Sequence, residues 1–419
     1  MNKVLKIFKG DSVIWLIFLF LCLISLIEVF SAGSRLTYQT GNYWAPLRQH
    51  FCFLIVGLIV VICVMNMPYK WFQLFALILI PISIVLLLVT LFHGNGVNGA
   101  NRWLTLAGIR FQPSELAKMA MVIYCASVLS KGQTPEGASP EAFKLIVFLL
   151  VPFCFLIFPE NFSTSGLLFI VIVTMMIIGR VQLKKIGMLF LPIVAFVVLI
   201  LLYASMSNSK SHFDDNSFLH RVDVWVARID KFTSGHDKVP AAKYNFSENE
   251  QVGHANIAIA TSSLLGKAPG NSVERDYLSE AASDFIFAII IEEMGLFGGM
   301  FVVFLYLCLL IRAGRIARQC DKTFPALLVI GIALLMVSQA LVNMLVAVGL
   351  FPVTGQPLPL ISKGGTSTLI NCTYIGMMLS VSNYTRRLKM KKSKAIELEI
   401  ANQPAEPTAA ILNEDTKMR

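Results

Sequence analysis

VIWLIFLFLCLISLIEVFSA, residues Val13 to Ala32, carries one ionisable side chain, Glu28, in twenty positions. At about 1.5 Å per residue a helix of this length reaches about 30 Å, the thickness of a bilayer's hydrocarbon core. The run is long for a signal peptide and lacks a small-residue cleavage site, so it reads as a retained membrane span. Nine further apolar runs follow, at His50–Asn66, Phe72–Phe92, Ser114–Ser130, Phe143–Phe158, Thr164–Gly179, Ile186–Ser205, Asp284–Ile311, Pro325–Leu350 and Thr368–Ser382. Ten helices in one chain predict an all-α polytopic membrane protein. Composition agrees: 56% of the 419 residues are hydrophobic and 14% charged, and the mean hydropathy is +0.70. No soluble domain class has that balance.

Lysine and arginine set the orientation. Lys3, Lys6 and Lys9 precede the first run, Arg180, Lys184 and Lys185 follow the sixth, Arg312, Arg315, Arg318 and Lys322 follow the eighth, and six basic residues from Arg386 to Lys394 follow the tenth. With ten spans these segments share one side, which the positive-inside rule makes the cytoplasm. The expected organisation is a cytoplasmic N terminus (1–12), a ten-helix membrane domain (13–382) and a cytoplasmic tail (383–419), basic at first and then disordered. A large outer loop, residues 206–283, is expected to carry short amphipathic helices against the membrane. The net charge of +10 is then a topology signal with some attraction to anionic membrane lipids. No basic stripe with interleaved aromatics points to nucleic acid. Seven of the eight cysteines lie in or beside apolar runs, and the outer loop has none, so no disulfide framework is implied. The six histidines show no metal-ligand spacing.

Ionisable groups at membrane depth cost about 2.5–3.5 kcal/mol each on insertion scales, so each asks for a reason. They are Glu28, Glu115, Lys118, Asp284, Glu292 and Glu293, with Glu160 at an outer boundary. Glu115 and Lys118 are three apart, on adjacent positions of one helix face where opposite charges pair. Asp284, Ala288 and Glu292 are spaced four and four, which predicts both carboxylates on one face of the eighth helix, about 12 Å apart. That is too far for a paired-carboxylate hydrolase. Asp284 is expected at the outer mouth, and Glu292 and Glu293 are expected to be structural.

Three segments carry a resemblance. The first runs Asn101-Arg102-Trp103-Leu104 and then Phe111-Gln112-Pro113-Ser114-Glu115-Leu116-Ala117-Lys118; the second is Asp284-Phe285-Ile286-Phe287-Ala288 with Glu292-Glu293-Met294-Gly295-Leu296. The third runs from Pro352-Val353-Thr354-Gly355-Gln356-Pro357 through Ser362-Lys363-Gly364-Gly365-Thr366-Ser367. Together they resemble the FtsW/RodA/SpoVE (SEDS) family, with its reentrant Arg-Trp segment leading into QPSE-x-x-K, its TDFIFA and EELG pair, and its PVTG-x-PLP and GGxS stretch. The departures are local. Leu278-Ser279-Glu280-Ala281-Ala282-Ser283-Asp284 lacks the proline and histidine common in relatives, and Pro159-Glu160-Asn161-Phe162-Ser163-Thr164 stands where many have P-D-x-G-T. The glycine-rich stretch of the large loop is also altered, at Ala260 to Gly266.

The resemblance implies a peptidoglycan glycosyltransferase that polymerises lipid II. In that chemistry an acceptor sugar hydroxyl loses a proton while it attacks the anomeric carbon and a polyprenyl pyrophosphate leaves. Asp284 is expected as the general base. Arg102, Lys118 and Lys363, with Glu115, Trp103 and Ser362, are expected to bind substrate, the cations meeting the pyrophosphate. Pro352, Gly355, Gly364 and Gly365 are expected to fix an irregular segment that lines a cavity. No resident cofactor or protein metal site is called for; a divalent cation could assist the leaving group. The implied partners are lipid II and polyprenyl-pyrophosphate-linked glycan, a class B penicillin-binding protein acting as transpeptidase, and divisome proteins. The terminal extensions incline toward the FtsW-like, division branch. Two other classes stay open: a lipid II flippase, and a non-catalytic division scaffold.

Overall fold

The computed structural model describes residues 9–33, 44–93, 95–97, 100–106, 109–191, 250–278 and 280–401. Within them the chain forms α1 (Ser12–Ala32), α2 (Ala45–Asn66), α3 (Lys70–His93), α4 (Pro113–Lys131), α5 (Pro140–Ile157), α6 (Phe162–Ile178), α7 (Glu250–Thr261), α8 (Ile286–Arg318), α9 (Thr323–Ala347) and α10 (Gly365–Ala401). Nine of the ten apolar runs coincide with these helices. The seventh lies mostly outside the described residues, as do positions 206–249 of the expected outer loop.

Six of the helices are long and apolar enough to cross a bilayer: α1, α2, α3, α5, α8 and α9. Helix α6 is apolar but shorter. Helix α4 departs from the pattern for a physical reason. Fourteen of its nineteen residues are buried, so it presents little surface to lipid and tolerates Glu115 and Lys118 inside. Helix α9 runs through the centre and packs against α4, α6, α7, α8 and α10. Close crossings rest on small residues. A Cβ on Gly57 of α2 would lie 2.6 Å from the Cys372 sulfur of α10, and one on Gly376 of α10 would lie 2.8 Å from Val64 of α2.

Three local features differ from expectation. The Arg-Trp segment is the middle strand of a small antiparallel sheet, β1 (Asn95–Val97), β2 (Ala100–Leu106) and β3 (Ile109–Phe111), with Leu104 opposite Phe111. Helix α10 continues without a break through the basic segment to Ala401. Helix α8 is broken at Gly295 (φ 72°, ψ −176°), a conformation that favours glycine. A second left-handed glycine, Gly266, lies across this break, and a Cβ on either glycine would fall within 2.5 Å of the other's backbone. Only two glycines can cross so closely.

The two ends of the bundle differ in charge. Asp11 at the start of α1 pairs with Arg312 near the end of α8 at 2.6 Å, and Ser380 of α10 donates to the carbonyl of Met67 after α2. These contacts gather Lys9, Arg312, Arg315, Arg318, Lys322 and the basic part of α10 at one end. The sheet, the α7 segment, and residues 348–364 between α9 and α10 lie at the other.

Candidate active site

At that other end, a carboxylate and a guanidinium converge on one point of backbone. Gly355 has a left-handed φ of 71°, and a Cβ there would lie 2.9 Å from Nη1 of Arg102 and 3.6 Å from Oδ2 of Asp284. The guanidinium comes from β2, and its Nε donates to the Glu160 carbonyl, just before α6, at 2.8 Å. Three motifs far apart in sequence thus meet, and both charged side chains are half-buried.

Beneath them lies a fully buried polar floor. Pro113 opens α4, and Glu115 sits in the first turn, where the helix dipole favours a negative charge. One turn on, the Lys118 ammonium donates to Glu115 Oε1 at 2.7 Å and to Gln339 Oε1 of α9 at 2.8 Å. Gln339 in turn donates to the Pro357 carbonyl at 3.1 Å. One turn further along α9, Asn343 donates to the carbonyls of Asp284 at 2.9 Å and Gln356 at 2.8 Å. Gln356 also donates to the hydroxyl of Thr164 in α6. The irregular segment 348–364 is therefore held by side chains from α6 and α9, with Lys118 of α4 bracing Gln339, which satisfies backbone groups that lipid would leave unpaired.

Ser362 and Lys363 fasten the same segment to the approach to Asp284. The Ser362 hydroxyl donates to the Ser283 carbonyl at 2.6 Å and accepts from the Leu358 amide at 2.7 Å. The Lys363 amide donates to the Ala282 carbonyl at 2.9 Å. The Lys363 ammonium is half-buried, and desolvation lowers its pKa from the ordinary lysine value. Several buried polar atoms of these segments have no hydrogen-bond partner among the described residues: Glu115 Oε2, Asn343 Oδ1, Thr354 Oγ1, Gln356 Oε1 and Asn161 Nδ2. Such atoms are uncommon in folded proteins and mark where a polar ligand or water would be received.

The expected shared face of Asp284 and Glu292 is not formed. Asp284 lies in the turn before α8, whose first residue is Ile286, so helical spacing does not relate it to Glu292. Glu292 points instead at the 267–273 loop, where its carboxylate takes Lys267 Nζ at 2.6 Å, the Val273 amide at 3.1 Å and the Ser272 hydroxyl. Glu293 accepts the Gly270 amide at 2.9 Å, the Ser272 amide at 3.2 Å and the hydroxyl of Ser31 in α1. Both buried glutamates thus clamp the loop that leads to Asp284. Trp103 is half-buried on β2, and strand alternation sends its side chain to the face opposite Arg102. Gly364 packs against the Ser367 hydroxyl, and Gly365 (φ 38°) starts α10.

Gln339 and Asn343 escaped the sequence reading. That reading followed ionisable groups, and these two are neutral. Their signal was present all the same: two amides four apart on one face of an otherwise apolar helix. Among the described residues no group of three or more His, Cys, Asp or Glu side chains forms a metal-holding set. A divalent cation would find no all-protein cage among them.

A family model described as cell cycle protein, FtsW/RodA/SpoVE, matches residues 11–387. A probable peptidoglycan glycosyltransferase FtsW of Halomonas elongata is 31% identical over 386 residues, 90% of this chain and 91% of the relative. Its counterpart in Haemophilus influenzae is 29% identical over 392 residues, 92% of this chain and 93% of the relative. Among solved structures, a chain from a study of how a peptidoglycan synthase complex coordinates polymerisation and crosslinking superposes with a TM-score of 0.69, at 20% identity, covering 90% of this chain and 98% of that one. A family model that matches residues 11–387 of a 419-residue chain means that this protein belongs to the FtsW/RodA/SpoVE family.

Proposed function

We propose that this protein is a peptidoglycan glycosyltransferase that polymerises lipid II during cell division, with Asp284 as general base. The observation that carries the reading is the meeting of Asp284 and Arg102 at Gly355, half-open above a buried polar floor. The acceptor hydroxyl gives its proton to the Asp284 carboxylate as its oxygen bonds to the donor's anomeric carbon. The bond from that carbon to the pyrophosphate oxygen breaks at the same centre, and the polyprenyl pyrophosphate leaves with the electron pair. Arg102 and Lys363, both half-exposed, meet its charge. Glu115, Lys118 and Ser362 are positioning residues in this scheme. The Lys118 ammonium is fully buried and occupied by Glu115 and Gln339, and the Ser362 hydroxyl is engaged on both sides.

The same reading puts the site at the outer face of the cytoplasmic membrane, with both termini in the cytoplasm, because the basic residues gather at the opposite end. A class B penicillin-binding protein and divisome proteins are its proposed partners, which the coupling of polymerisation to crosslinking in the neighbouring complex supports. Incubating the purified protein and its transpeptidase with lipid II, followed by gel separation of glycan, tests the activity. Asp284→Asn keeps the side chain's size but cannot take a proton, so polymer should fall by about 10²–10⁴-fold. Wild-type polymer from that variant removes Asp284 from the mechanism. Lipid II transport by the wild-type protein without polymer would favour the flippase instead.

A further inference from the structure

The basic end of the bundle holds a polar cleft of about 230 Å³ between the first turn of α1, the last turns of α8, and α10 where it leaves the bundle. Ser12, Arg312, Gln319, Thr385, Arg386 and Lys389 line it, with Asp11. The single carboxylate is already spent. Asp11 Oδ2 takes Arg312 Nε at 2.7 Å and Nη2 at 2.6 Å, while Oδ1 caps α1 by accepting the Val13 amide at 2.9 Å and the Ile14 amide at 3.3 Å. Arg386 and Lys389, three apart and so on one face of α10, are exposed and have no carboxylate partner among the described residues. The cleft therefore carries two uncompensated positive charges beside hydroxyl and amide groups. That set suits a phosphodiester anion.

Its depth says what bears the phosphate. The indole of Trp15 donates to the Lys9 carbonyl at 2.9 Å, the posture of a tryptophan at the membrane–water boundary. Leu16, one turn of α1 beyond Ser12, is 53% exposed, and Ile311, next to Arg312 in α8, is 57% exposed, so lipid chains meet the helices just below the cleft. A free anion would leave that apolar surface unused. We infer that the cleft formed by α1, α8 and α10 binds the headgroup phosphate of an anionic lipid in the leaflet at the basic end.

Native mass spectrometry of the full chain in detergent, titrated with phosphatidylglycerol, phosphatidylcholine or inorganic phosphate, tests this. Phosphatidylglycerol should bind at one equivalent, more tightly than phosphatidylcholine, and inorganic phosphate should not displace it. Arg386→Ala with Lys389→Ala should weaken it by about tenfold or more. The control pair Arg387→Ala with Lys391→Ala removes the same charge outside the cleft and should leave it within about twofold. Equal weakening by both pairs would reduce the effect to diffuse electrostatics and overturn the site. So would equal retention of the two lipids, or displacement by inorganic phosphate. If the double variant does not elute as folded protein, Lys389→Glu alone gives the same comparison.

Discussion

Replacing Gly355 by alanine tests the junction without touching either charged group. The new Cβ would stand 2.9 Å from Arg102 Nη1, whereas an unstrained contact is about 3.5 Å, so the guanidinium has to retreat by roughly 0.6 Å. Asp284 Oδ2, at 3.6 Å, is already in ordinary contact and stays. A misplacement of about 1 Å at a reacting centre can cost about 10²-fold, so polymerisation should drop about ten- to hundredfold. The left-handed backbone adds a folding cost of about 1–2 kcal/mol. Gly270→Ala separates the two effects, since Gly270 has φ 89° and its Cβ would meet nothing within 4 Å. Both variants should lose similar thermal stability, and only Gly355→Ala should lose polymer per folded molecule in a lipid II gel assay. Equal activity losses, or full activity from Gly355→Ala, would refute the idea that Gly355 sets the spacing of Arg102 and Asp284.

Three other outcomes follow from the same geometry. Lys118→Ala leaves Glu115 buried without its partner and should lower stability by about 3–5 kcal/mol, with part restored by adding Glu115→Gln; thermal unfolding in detergent reads both. Asn343→Leu removes the bonds to the Asp284 and Gln356 carbonyls, so polymerisation should fall with lipid II binding retained, and equal loss of binding and turnover would argue against a positioning role. Leu265 is 79% exposed in the loop clamped by Glu292 and Glu293, and Leu265→Cys in a background without native cysteines should react with an impermeant thiol reagent added outside the cell. Labelling from the cytoplasmic side alone would invert the topology.

The clamp on the α7-to-α8 loop rests on two adjacent, fully buried glutamates, Glu292 and Glu293. Read from the sequence as structural, they carry no sign there of what they hold. Their hydrogen bonds to Lys267, Gly270, Ser272 and Val273 turn them into anchors, and the loop they hold ends at Asp284. Helix spacing from Asp284 misled because a turn, not a helix, carries that residue.

From the sequence alone came the membrane-spanning helices, because apolar runs of bilayer length leave a chain little choice, and the Glu115–Lys118 pair, because three residues along a helix make neighbours. The motifs also named Arg102, Asp284 and Gly355. What only the tertiary structure decided is that these three share one point, that Gln339 and Asn343 hold the floor beneath them, and that Lys118 is sealed inside. Those contacts join β2, α4, α9 and the segments before α8 and α10, which lie up to some 250 residues apart. No local periodicity encodes such meetings; they follow from how the helices pack and from the two crossing glycines, Gly266 and Gly295, that let the loop pass close against α8.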